Sequence, residues 1–179
     1  MPDAEQNTVK SKGRILVAVH DGVYLLKFVG DVRVSLCTAV DTFLDSMFRD
    51  PDFRSVIVDL SHTQAIDSTS LGILAKLSIH AKQRMGCVPT LVSTNPDVTR
   101  ILHTMGFEDV FDIIEQPLQE LGQLGELSPC AASEDDVRER VIEAHKYLMS
   151  LSESNRESFQ DLVDALEHAA PQQLSARAR

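Results

Sequence analysis

Apolar residues run almost unbroken through Arg14-Ile-Leu-Val-Ala-Val-His20 and again through Val23-Tyr-Leu-Leu-Lys-Phe-Val29, with Asp21-Gly22 between them. Two β-rich runs joined by an Asp-Gly step predict a hairpin, closed by Gly30-Asp31. From Ser35 the period changes. Leu36, Val40, Phe43, Leu44, Met47 and Phe48 recur at three- and four-residue spacing, which predicts a helix with Ser35 as N-cap and Pro51 as its end. Ser55-Val-Ile-Val-Asp-Leu60 is nearly continuous and short, as a strand buried on both faces should be, and a polar loop, Ser61 to Gln64, is expected after it. A second helix opens around Ser68 to Ser70, with Leu71, Leu74, Ser78, Ala81 and Met85 on one stripe and Ile73 and Leu77 widening it; Gly86 stops it. Thr90 to Thr94 reads as a strand. Asn95-Pro96 caps a helix with Val98, Ile101, Leu102 and Met105 inward, Gly106 closes it, and Val110 to Ile114 reads as the last strand. The order β-β-α-β-α-β-α-β predicts a small α/β domain whose mixed sheet carries parallel crossovers.

Between Gly122 and Asp136 the chain takes on a Gly/Pro/Ser/acidic composition typical of a linker. Beyond it Val137, Val141, Ala144, Leu148 and Leu151 keep helical spacing, and after a polar break at Ser152 to Glu157 so do Phe159, Leu162, Val163 and Leu166. The expected organisation is a flexible start at 1–12, a domain at 13–124, a linker at 125–135, a helical extension at 136–170 and a flexible tail at 171–179. An amphipathic helix pair must cover its apolar stripe, either on its own domain or on a partner, and packing back is the expected outcome. No internal repeat is present.

Composition narrows the function classes. The chain has 179 residues, 43% of them hydrophobic, enough for a core without staples. Cys37, Cys87 and Cys130 are odd in number and lack a Cys-x-x-Cys pair, which points to a reduced, cytosolic chain with neither a disulfide framework nor a zinc pattern. The N-terminus lacks an apolar leader, and no apolar stretch approaches the ~20 residues of a membrane span. With Lys plus Arg at 17 against 27 for Asp plus Glu, a formal charge of −10, and no Trp, neither nucleic acid nor an anionic membrane is an expected partner.

No phosphate loop, dinucleotide fingerprint, zinc-hydrolase motif or serine elbow is present, so neither an enzyme nor a cofactor is expected. His20, His62, His80, His103, His145 and His168 share no metal-ligand spacing and read as surface or strand-end residues. Asp59-Leu-Ser-His-Thr63 has an Asp at a strand end, where an α/β phosphatase holds a nucleophile, but the position of its second Asp is taken by Ser61. Asp59 therefore reads as a polar strand end. The segment that stands out is Ala65-Ile-Asp-Ser-Thr-Ser-Leu-Gly72, with three hydroxyls and a carboxylate at a helix mouth. One use is N-capping by Asp67, Ser68 or Thr69, and chemistry alone favours it. The other is a phosphorylation switch, because a phosphate sits well on a helix N-terminus while it changes the surface charge sharply.

Asp67-Ser-Thr-Ser-Leu-Gly72, following the strand Val56 to Leu60, resembles the signature of STAS domains, the anti-sigma factor antagonist family. Gly30-Asp-Val-Arg33 resembles that family's loop ahead of the first helix, and Asn95 to Leu102 with Met105-Gly-Phe107 resembles its third helix and turn; the likeness covers about Gly13 to Leu121. It implies a small STAS domain with a mixed central sheet flanked by helices, plus a C-terminal helical extension. It also implies a non-enzymatic switch: Ser68 is the residue phosphorylated by an anti-sigma factor kinase, Thr69 is its neighbouring hydroxyl, and Gly30, Asp31, Arg33, Asp67, Ser68, Thr69, Ser70, Leu71 and Gly72 form the partner surface. Ser70 departs from the family's usual Gly. Glu143 to Leu151 and Asn155 to Glu167 resemble the extension of a gammaproteobacterial branch. There the implied partners are an anti-sigma factor, in one case the flagellar one, a response regulator with phosphatase and kinase modules, and a diguanylate cyclase, all serving motility and biofilm choice. The alternative is a constitutive STAS subunit of a transporter or lipid-transport complex.

Overall fold

The computed structural model describes residues 11–86, 88–119 and 122–169. The expectations for the N-terminus up to residue 10, for Cys87 and for the tail at 171–179 lie outside them. The chain begins as a hairpin, β1 (Arg14–His20) and β2 (Val23–Val32), paired antiparallel from Arg14 opposite Val29 to His20 opposite Val23. Its turn needs positive φ at both central residues, and Asp21 (49°) and Gly22 (79°) supply it. A 3₁₀ turn, Val34–Leu36, leads into α1 (Cys37–Arg49). There follow β3 (Ser55–Ile66), α2 (Ser68–Met85), β4 (Thr90–Val92), α3 (Pro96–Thr104), β5 (Asp112–Ile114), β6 (Gly125–Glu126), α4 (Glu134–Met149) and α5 (Glu153–His168). Among the described residues the strands form one sheet in the order β5-β4-β3-β2-β1-β6, parallel from β5 to β2 and antiparallel at the β1 and β6 edge. This is the mixed sheet with parallel crossovers that the element order predicts.

One face of the sheet carries Ile15, Tyr24, Leu26, Phe28, Val56, Val58 and Leu60 into a continuous core with Val40, Leu44 and Met47 of α1 and Leu71, Leu74 and Leu77 of α2. The same core takes in Ala144 and Leu148 of α4, with Tyr147, Leu151 and Phe159 packed against it. So α2 is covered on two sides, by the sheet and by α4, and almost every residue from Thr69 to Ala81 is buried. The extension therefore packs back on its own domain. Asn155, at the start of α5, fixes the helix pair further: its buried amide donates to the carbonyls of Leu148 (2.8 Å) and Met105 (2.9 Å). No helix among the described residues is long and apolar enough to cross a membrane.

Several expectations need correction. Ser35 caps nothing; the 3₁₀ turn precedes α1 instead, and its N-cap position is Leu36, which makes no side-chain capping bond. The polar stretch Ser61 to Gln64 is strand, because β3 continues beside β2 through two register shifts as far as Ile66 opposite Val32. Bulges of that kind are invisible to a period-two reading. Asp59 lies inside β3, buried, 3.8 Å from the Lys27 ammonium and accepting from the Ser61 amide at 2.8 Å. Segment 122–136 contains the short strand β6, and Met85, Ile101 and Leu162, read on inward stripes, are exposed.

Candidate functional site

The site grows from Asp67. Extended backbone at this residue (φ −89°, ψ 167°) ends β3 and places its side chain over the first turn of α2, where Oδ1 accepts from the Ser70 amide at 2.8 Å. This satisfies one of the amides a helix start leaves unpaired. Oδ2 accepts from the Val34 amide at 2.7 Å, and the Asp67 amide donates to the Val32 carbonyl at 3.1 Å. One carboxylate thus ties the segment after Gly30 to the mouth of α2, bringing together two stretches far apart in sequence. Within that segment Gly30 is buried, the Asp31 amide donates to the Ser11 carbonyl, and the exposed Arg33 reaches back to the Asp31 carboxylate at 2.7 Å.

The hydroxyls that follow Asp67 have different surroundings. Ser68 is half-buried and Thr69 is buried. Ser70 is buried with its Oγ 3.5 Å from Cys37 Sγ, so it faces α1 and not the outside. Burial pushes the Cys37 thiol up to about 12, which leaves it protonated and unreactive at neutral pH. Leu71 lies in the core, and Gly72 meets α4, where a Cβ would overlap the Ala144 carbonyl. Of the implied partner surface, then, Arg33, Asp31 and Asp67 are within reach of another molecule, Ser68 is half-buried beside α4, and the side chains of Thr69, Ser70 and Leu71 support them from beneath.

His145 escaped the sequence reading, which placed it on the surface. It is 1% exposed, and its Nε2 lies 2.9 Å from Ser68 Oγ. Its Nδ1 is 2.7 Å from the Val141 carbonyl, and the Phe159 ring stands edge-on at 5.2 Å. A carbonyl only accepts, so in the neutral ring Nδ1 carries the proton and Nε2 accepts from the Ser68 hydroxyl. The signal was present in the sequence: Val141, His145 and Leu148 share one helix stripe, and a polar residue inside an apolar stripe needs a partner.

Beside this contact α4 is held by charge. Asp41, buried on α1, takes the Arg140 guanidinium on one oxygen and the Lys76 ammonium, at 2.8 Å, on the other; Lys76 also reaches Glu143 at 3.1 Å. Burial works against the Lys76 charge, but the two carboxylates outweigh it and hold its pKa above the ordinary value. Among the described residues no group of His, Cys, Asp and Glu is placed to hold a metal ion.

The STAS domain model matches residues 14–120. No curated protein matches the chain in sequence. Among solved structures it is similar to an anti-sigma factor antagonist from Mycobacterium paratuberculosis, at 23% identity and a TM-score of 0.51, over 59% of this chain and 87% of that one. It is also similar to the protein TM1081, at 21% identity and a TM-score of 0.49, over 55% of this chain and 78% of that one. The mixed sheet, the helix that opens on Asp67-Ser68 and the match across most of the domain lead to one conclusion: this chain belongs to the STAS domain family.

Proposed function

We propose that this chain is a non-enzymatic binding switch, an anti-sigma factor antagonist that sequesters an anti-sigma factor while Ser68 is unmodified and releases it once Ser68 is phosphorylated. The observation that carries the reading is the double use of Asp67, which holds the Gly30–Val34 segment and the mouth of α2 as one surface with Ser68 on it. Phosphorylation forms the Oγ–P bond and breaks the P–O bond to the departing nucleoside diphosphate, and the hydroxyl proton leaves with a base. The product is a charge of about −2 beside the Asp67 carboxylate, tolerated by the α2 dipole but repelling an acidic partner and costly to desolvate. Family membership and the fold shared with the mycobacterial antagonist support the reading. The likeness of the C-terminal helices to a gammaproteobacterial branch supports a response regulator with kinase and phosphatase modules as the writer and eraser, with a diguanylate cyclase and motility control downstream. Residues 13–124 would form the switch and 136–170 its extension.

The test is calorimetry of the full chain against the candidate anti-sigma factor. Ser68→Asp is expected to weaken binding by at least about 1–3 kcal/mol through charge repulsion and desolvation at the interface. Equal affinity for the two proteins would sink the switch reading, and co-purification with a transporter ATPase would replace it with the constitutive-subunit role.

A further inference from the structure

Ser68 already has an occupant in this structure, and it comes from the same chain. We propose that the α4–α5 hairpin is an internal ligand of the Ser68 surface, and that a docked hairpin and a phosphate on Ser68 exclude each other. For its biological use the proposal rests on reading Ser68 as the switch residue; its geometry stands without that reading.

Three contacts make α4 the occupant. The Ser68 hydroxyl donates to His145 at 2.9 Å, a separation already filled by the hydrogen bond. Gly72 gives up its side chain so that the Ala144 carbonyl can lie against α2, an approach any Cβ would block. Arg140 and Glu143, flanking the same turn, hold Asp41 and Lys76. A phosphoryl group adds a phosphorus and three oxygens to Ser68 Oγ, and in the rotamer that meets His145 there is no room for them between Oγ and Nε2. It also removes the proton that His145 accepts. An imidazolium would welcome the phosphate, but only from a ring displaced outward. Val141 and Phe159 fix that ring to α4 and α5, so the hairpin has to move with it. The same exclusion applies to a protein that covers Ser68, because it needs the space α4 fills. The surface therefore has three mutually exclusive states, covered by its own hairpin, bound to a partner, or phosphorylated. By linkage whatever favours one disfavours the others equally.

The experiment uses the full chain with phosphoserine installed biosynthetically at position 68 and reads amide hydrogen exchange by mass spectrometry. Exchange over 134–149 and 153–168 is expected to be at least about ten-fold faster than in the unmodified chain, with the β1–β4 peptides unchanged, as for a local opening. Ser68→Gln, which adds bulk without charge, should act the same way, and Arg140→Glu should open the hairpin with Ser68 intact. Equal protection of 134–149 in the serine, phosphoserine and Gln proteins would overturn the proposal. So would an opening that spreads through the sheet, since the hairpin would then not be a separable ligand. No kinase or anti-sigma factor enters the measurement, so it can fail while the calorimetric test succeeds, or the reverse.

Discussion

Asp67 spends both carboxylate oxygens on backbone amides of different segments, Ser70 in α2 and Val34 ahead of α1. Loss of a capping aspartate alone costs about 1 kcal/mol, up to roughly 2. Asp67→Ala also leaves the Val34 amide without its acceptor, so a loss at the upper end of that range is expected in urea or guanidinium unfolding. Asp67→Asn keeps one acceptor oxygen and should lose less. If Asp67→Ala matched the native protein, the carboxylate would not be what joins the two segments. Ser68, next in the chain, is free of this duty: the capping that chemistry favoured belongs to Asp67, which leaves the Ser68 hydroxyl to His145 and to modification.

At the scale of elements, α2 is the centre of the molecule, and its sequence says so. Leu71, Ile73, Leu74 and Leu77 cover more than one face, with Gly72 and Ala75 between them, a pattern that suits a helix packed from two sides better than one lying on a surface. The partner for the second side is α4, whose stripe of Val141, Ala144, His145 and Leu148 was legible except for the histidine. α4 begins with a capping box, in which the Asp136 carboxylate accepts from the Ser133 hydroxyl and amide while Ser133 Oγ accepts from the Asp136 amide. The Ser133 hydroxyl, followed by its amide, holds the Asp136 pKa below the ordinary 3.8. A carboxylate depressed in the folded state contributes stability that is present above its unfolded pKa and lost as pH falls through the lowered folded value. Acidification below that ordinary value should therefore fray the first turn of α4, visible as amide shifts at Glu134 to Asp136 in NMR spectra. Ser133→Ala should already show the frayed spectrum at neutral pH, and a first turn indifferent to both changes would remove the box from the account.

For the whole molecule, the hairpin turn, the three domain helices and the parallel crossovers were readable because each rests on a local signal: Asp-Gly, a change of period, or a cap followed by proline. The parts that were not readable depend on the sheet. Whether Ser61 to Gln64 is loop or strand is decided by β2 running alongside it with bulges, and Gly125–Glu126 is a strand only because the edge of β1 is free to accept it. The Ser68 surface was half readable. Its residues follow from the motif, but its occupant comes from 77 positions further along the chain, a distance over which spacing carries no information.

That occupant arrives on a short tether. The residues between β6, which ends at Glu126, and the Ser133 cap of α4 are all that separates the hairpin from the domain it covers. A competitor joined in this way acts at an effective concentration set by the length of its linker, of millimolar order, and not by the amount of protein in solution. Dilution leaves the ratio of covered to open surface where it was, so protection of α4 in exchange experiments should be the same in concentrated and in hundred-fold diluted samples (roughly micromolar). A binding partner must meet a fixed threshold, which rises or falls only with chemistry at Ser68 or with the partner's own concentration. Doubling the cell's supply of this chain multiplies the sites without making any one of them easier to open.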